Sequence, residues 1–124
     1  MSEALRLPED SELKHHASRP EVLDAVVAQL NKDLGSQSQT IEFDGPAEKA
    51  YQILKDELSR ILGRWLRGDT TFLKAFLYRV DVSERAINGL LAKETNEEFE
   101  DMLATEVLNR ELKKVLIRLH FGKP

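Results

Sequence analysis

The stretch Asn96-Glu97-Glu98-Phe99-Glu100-Asp101-Met102-Leu103-Ala104-Thr105-Glu106-Val107-Leu108-Asn109-Arg110-Glu111-Leu112-Lys113-Lys114-Val115-Leu116-Ile117-Arg118-Leu119 holds neither proline nor glycine. Its acids Glu97, Glu98, Glu100 and Asp101 come first, and its bases Arg110, Lys113, Lys114 and Arg118 come last, followed by Lys123. That order compensates the helix dipole, at about 0.3–1 kcal/mol per favourable charge. Thr95 with Glu98 fits a capping box, so the helix is expected to start at Thr95 or Asn96. Two apolar stripes share it: Phe99, Leu103 and Val107, then Leu108, Leu112, Val115 and Leu119. A helix that turns apolar sides in two directions packs between neighbours, which makes it the spine of an all-α domain.

Upstream, Asp69 or Thr70 caps a short helix carrying Phe72, Leu73, Phe76 and Leu77. Val80-Asp81-Val82-Ser83 then leads into another, with Ile87, Leu90 and Leu91 inward. Before these, Asp44-Gly45-Pro46 opens a helix that closes at Gly68. Its residues Ala47, Ala50, Tyr51, Leu54, Leu58, Ile61, Leu62 and Trp65 fall on one side, and Lys49, Asp56, Arg60, Arg64 and Arg67 on the other. Val22, Leu23, Val26, Val27, Leu30 and Leu34 predict the first helix, with Ser18 as cap, Pro20 in its first turn and Gly35 as stop.

Between the first two helices, Ser36–Gln39 reads as a polar connector. Thr40–Asp44 then alternates, either as a short strand or as an extended segment that tucks Ile41 and Phe43 under the bundle. A strand there needs a partner, Ala4–Leu7 or a second subunit. Residues 1–17 read as a loosely ordered arm, and 18–124 as a single domain: a compact all-α bundle of about five helices.

Composition sets the outer bounds. The chain of 124 residues is 41% hydrophobic and 32% charged, a globular balance. Its net charge of −4 disfavours general binding to polyanions. It has no cysteine, which excludes disulfides, thiolate zinc sites and cysteine nucleophiles. No apolar run approaches the ~20 residues that span a bilayer, and Met1–Arg19 lacks the form of a secretory signal, so a cytoplasmic protein is expected.

Catalytic chemistry finds little to build on. His15 and His16 are adjacent, and His120 is remote in sequence; no His-x-x-x-His spacing exists. The glycines are scattered singly, without a phosphate loop, and no serine sits in a nucleophile elbow. No catalytic, metal or cofactor residues are therefore expected. Candidate contacts for an anion or a protein partner are Arg60, Arg64 and Arg67, recurring at i, i+4 and i+7, and the terminal bases Arg110, Lys114 and Arg118. The plainer reading of the first three is a solvated face, with Asp56 and Arg60 as an i,i+4 pair.

Leu77-Tyr78-Arg79-Val80-Asp81-Val82-Ser83-Glu84-Arg85-Ala86-Ile87-Asn88-Gly89-Leu90 resembles a helix-turn-helix core. Val82-Ser83 and Ile87 match the end of the turn and the buried position four residues on, and Leu90 the next buried one. The chain departs where the motif has glycine, at Asp81, and where it has a small residue, at Leu77. The resemblance implies a recognition helix opening at Ser83, with Arg85 and Asn88 suited to base edges. Asp81, Glu84 and Glu94 oppose the phosphate attraction such binding needs.

Two functions follow as expectations. One is a small soluble non-enzymatic interaction or scaffold module that self-associates, as a homodimer, or binds another protein. The alternative is a helix-turn-helix-like nucleic-acid binder using residues 72–92, with Ser83, Arg85 and Asn88 as contacts.

Overall fold

The computed structural model describes residues 9–35 and 40–121. Among these are six helices, α1 Asp10–Ala17, α2 Pro20–Leu34, α3 Ala50–Arg67, α4 Thr70–Val80, α5 Glu84–Leu91 and α6 Phe99–Phe121. A 3-10 turn at Ala47–Lys49 leads into α3, and no strand occurs among the described residues. None of these helices is long and apolar enough to cross a membrane.

The bundle is built on α3 and α6, which run antiparallel. Tyr51 near the start of α3 donates its hydroxyl proton to Asn109 Oδ1 at 2.8 Å, while Ser59, two turns later, bonds Asp101, two turns earlier on α6. The buried face of α3 is the one its spacing predicts: Ala50, Tyr51, Leu54, Leu58, Ile61, Leu62 and Trp65. The buried side of α6 comprises Leu103, Ala104, Val107, Leu108, Leu112 and Val115. Every other helix also touches α6, so it is the spine. At the far end of α3, Trp65 meets Phe76 edge-on at 5.8 Å and Phe72 at 6.2 Å, which docks α4 onto the bundle.

Several expectations are corrected. The arm expected to be loose is helical over Asp10–Ala17, and Leu13 and Ala17 have no exposed surface. An isolated eight-residue helix is unstable in water; α1 stands because it packs on α2, α3 and α6. Ser18 does not cap α2 but ends α1, donating its hydroxyl to His15 O at 2.7 Å; Arg19 is the residue before Pro20 at the start of α2. The long helix starts at Phe99 rather than Asn96. Glu98 O accepts from Asp101 N and Met102 N, both at 3.1 Å, whereas Thr95 Oγ1 accepts from Glu97 N at 3.1 Å and closes a separate turn. The strand candidates Leu5 and Leu7 and the connector 36–39 lie outside the described residues.

The segment from Thr40 is extended without being a strand. Ile41 is buried and Phe43 half-buried. The backbone problem that a strand partner was expected to solve is met by one side chain. Asn31 Nδ2 donates to Ile41 O at 2.8 Å, and Ile41 N donates to Asn31 Oδ1 at 2.7 Å. An amide side chain thus does for Ile41 what a neighbouring strand would.

The capping expectations for α4 and α5 hold. Asp69 Oδ1 accepts from Thr71 N at 2.8 Å, and Ser83 Oγ accepts from Ala86 N at 3.1 Å. Between them Asp81 adopts φ 76°, ψ 42°, the left-handed conformation that ends a helix. Its N–H and that of Val82 both reach Leu77 O at 2.9 Å.

Candidate functional site

The two basic sets do not form one patch. Because α3 and α6 are antiparallel, Arg60, Arg64 and Arg67 lie toward the start of α6. Arg110, Lys114 and Arg118 lie about 15 Å or more further along it, at 1.5 Å per residue from Glu100. Most are also engaged. Arg60 pairs with Glu57, not with Asp56, which instead accepts from Gln52 Nε2 at 2.8 Å. Arg67 is 3.6 Å from Glu100, and Arg110 donates to Glu106 at 2.9 Å. Arg64 is exposed.

Lys114 and Arg118 reach from the surface into a polar cluster whose core is buried between helices. Asp33 and Gln29 of α2 and Glu111 of α6 are buried there, Glu111 with no exposed surface. Gln29 Nε2 donates to Asp33 Oδ2 at 3.1 Å, and Arg118 Nη1 donates to Gln29 Oε1 at 2.9 Å. Lys114 Nζ lies 3.4 Å from Asp33 Oδ2 and 3.1 Å from Glu111 Oε1. It also donates to Arg79 O at 3.3 Å, and Arg79 Nε donates to Asp33 O at 2.6 Å. The cluster joins α2, α4 and α6.

Its protonation follows from burial. Neither Glu111 oxygen accepts a well-aligned hydrogen bond, the 3.1 Å approach of Lys114 being an ion-pair distance only. Desolvation first, and the Asp33 carboxylate second, push Glu111 up to about 8, against the pull of Lys114. For Asp33 burial acts upward too. Hydrogen bonds from Glu111 and Gln29, together with the Lys114 ammonium, outweigh it and hold the group below its ordinary value. Burial lowers Lys114, but Glu111 and Asp33 override it and the net shift is upward. At neutral pH Glu111 therefore carries a proton that it donates toward an ionised Asp33, with Lys114 balancing the single negative charge.

The second feature is open to solvent. A groove of about 790 Å³ lies between α4 and α5. Lys74, Leu77, Tyr78 and Asp81 line it from α4 and its cap, and Glu84, Ile87 and Asn88 from α5, with Val82 and Ser83 at the corner. These are single helical faces at i, i+3, i+4 and i+7 spacing. Leu91, expected inward, is instead exposed: seven residues from Glu84 it falls on the same side as Ile87 and continues the open α5 face by one turn, leaving Leu90 as the buried position. Tyr78 is 83% exposed and Leu91 61%, large values for such side chains.

The helix-turn-helix candidates sit on this corner. Ser83 is occupied as a cap; Arg85 and Asn88 are exposed on α5. The position where the motif has glycine is left-handed here, and Asp81 fills it. Among the described residues no three His, Asp or Glu gather as metal ligands. The sequence reading passed over Asp33, Gln29 and Glu111. The signal was present, because all three occupy core-facing positions of their helices, Glu111 between Leu108 and Leu112.

Comparison of the chain with known protein families, curated proteins and solved structures brings no match.

Proposed function

We propose that the chain is a non-enzymatic helical interaction module whose contact surface is the open corner between α4 and α5. The observation that carries the reading is Tyr78, an aromatic 83% exposed on the wall of a groove with Leu77, Val82 and Ile87 in its lining. Exposed aromatics beside apolar hollows are the usual anchors of protein contacts. The buried cluster supports a non-catalytic role. Glu111 has the displaced pKa that marks acid–base catalysts, but it has no exposed surface, and no member of its cluster lines the groove. A cytoplasmic location belongs to the same proposal.

The test compares proteins retained from a cell lysate by the wild-type chain and by Tyr78→Ala. The reading expects at least one protein, copies of the chain included, to be held by the wild type and lost with the variant. Identical retention refutes it.

One observation favours a second reading, nucleic-acid binding by α5. The left-handed turn residue Asp81 and the exposed Arg85 and Asn88 on the second helix support it. Asp81 and Glu84 at the same corner weaken it. A salt titration against random duplex DNA decides: phosphate contacts give affinity that falls steeply with salt, and no binding at low salt removes the reading.

A further inference from the structure

We infer that the occupant of the α4–α5 groove is a second copy of this chain, related by a two-fold axis. The inference rests on the interaction-module reading and names its partner. A surface that docks on its own rotated copy must present both halves of every contact. This corner does so in shape, because the projecting Tyr78 stands beside the hollow lined by Leu77, Val82 and Ile87.

It does so in charge as well. Lys74 lies on the groove two turns before the corner, and Asp81 and Glu84 lie at the corner itself. Among the described residues none of the three forms an ion pair within the chain. An all-acidic rim calls for a basic partner; a rim with a base at one end and acids at the other is complemented by itself turned end for end. Two copies, each of net charge −4, also repel at a distance, so a pair needs such local compensation where they touch. Leu91, 61% exposed one turn beyond Ile87, extends the apolar strip each copy offers. A contact confined to two short helix faces belongs with the small, transient class of interfaces, so the pair is looked for at micromolar concentration and above.

Sedimentation velocity on the purified chain, over roughly a hundredfold range from low micromolar, tests this. The wild type is expected to pass from monomer to dimer, and Tyr78→Ala to weaken the dimer about tenfold or more. Lys74→Glu and Glu84→Lys each weaken it alone. Mixed in equal amounts they restore it, since each variant then meets the opposite charge on its partner. These side chains are exposed, and circular dichroism checks that each variant keeps its helix content. A wild type that stays monomeric, a dimer indifferent to Tyr78→Ala, or a mixture that fails to recover overturns the inference. A monomeric chain whose lysate partners still depend on Tyr78 overturns only the second copy and leaves the module reading standing.

Discussion

Replacing Glu111 by glutamine is expected to make the protein more stable, and more so as pH rises. Glutamine has nearly the shape of the protonated acid and donates toward Asp33 in the same way, but it cannot ionise. In the wild type the Glu111 carboxyl titrates at 4.5 when unfolded and at about 8 when folded. A raised folded value gives stability that is complete below pH 4.5 and lost as pH climbs through about 8. At about 1.4 kcal/mol per pH unit, a window of about 3.5 units corresponds to an upper bound on the order of 5 kcal/mol. Relaxation and water entry reduce that, so a gain of at least about 2 kcal/mol for Glu111→Gln at pH 9 relative to pH 4.5 is expected. The neighbours act outside this window. Asp33, held low, adds stability that is lost only as pH falls below its ordinary range, and Lys114, held high, loses its share only above 10.5. Burial, Arg19 and His15 lower His16 below its ordinary value, but they do so in both proteins and the effect cancels in the difference. Urea unfolding at several pH values, followed by the fluorescence of the single tryptophan, buried Trp65, gives the difference directly. A wild-type-to-variant difference that stays flat from pH 4.5 to 9 refutes the protonated, buried carboxyl.

Leu13→Ala is expected to cost about 2–5 kcal/mol, because Leu13 is fully buried where α1 meets the bundle; a loss under about 1 kcal/mol in the same urea assay says that α1 is not part of the folded unit. Asn31→Ala removes two hydrogen bonds that close the extended segment, costing about 1–3 kcal/mol and speeding hydrogen exchange at the Ile41 amide; unchanged exchange there contradicts the clamp. Asp81→Gly relieves a left-handed aspartate and is expected to raise stability by up to about 1 kcal/mol in thermal unfolding, whereas a marked loss shows that the Asp81 side chain holds the turn.

The fold was legible wherever apolar residues recur at helical spacing. α3 is the clearest case: eight apolar residues on one side, punctuated by Pro46 and Gly68, predict its buried face almost residue for residue. α2, α4 and α5 follow from the same signal with caps at Asp69 and Ser83. α1 was not legible, since Leu13 and Ala17 alone make no stripe, and its stability comes from the helices it leans on. The start of α6 was misplaced because Thr95 and Glu98 satisfy a capping pattern that the chain uses as a separate turn. Ile41 shows a limit of local pattern: alternation announces an extended backbone but not what satisfies it, and the answer, Asn31, lies ten residues away on another element.

The candidate sites were less legible for a related reason. Arginines at regular spacing draw attention as a row, yet Arg60 pairs along its own helix with Glu57, Arg67 pairs across to Glu100 of α6 and Arg64 stands exposed, so the row is not one uniform surface. The informative polar residues were the ones written into apolar stripes. A carboxylate at a core position is either an error of pattern or a group with a partner, because an unpaired buried charge costs several kcal/mol. Gln29, Asp33 and Glu111 all carry that mark, on two helices that meet.

The buried cluster and the open groove divide α4 between them. The backbone carbonyl of Arg79 accepts from Lys114 and its side chain grips Asp33 O, which fixes the last turn of α4 to α2 and α6. The residue just before it, Tyr78, lines the groove and stands 83% exposed. A contact aromatic contributes most when its backbone does not have to be ordered on binding, since that entropy is then already spent in folding. The anchoring of Arg79 supplies that condition at the neighbouring residue, and this makes the α4 wall of the groove a firmer platform than an eight-residue α5 could offer alone.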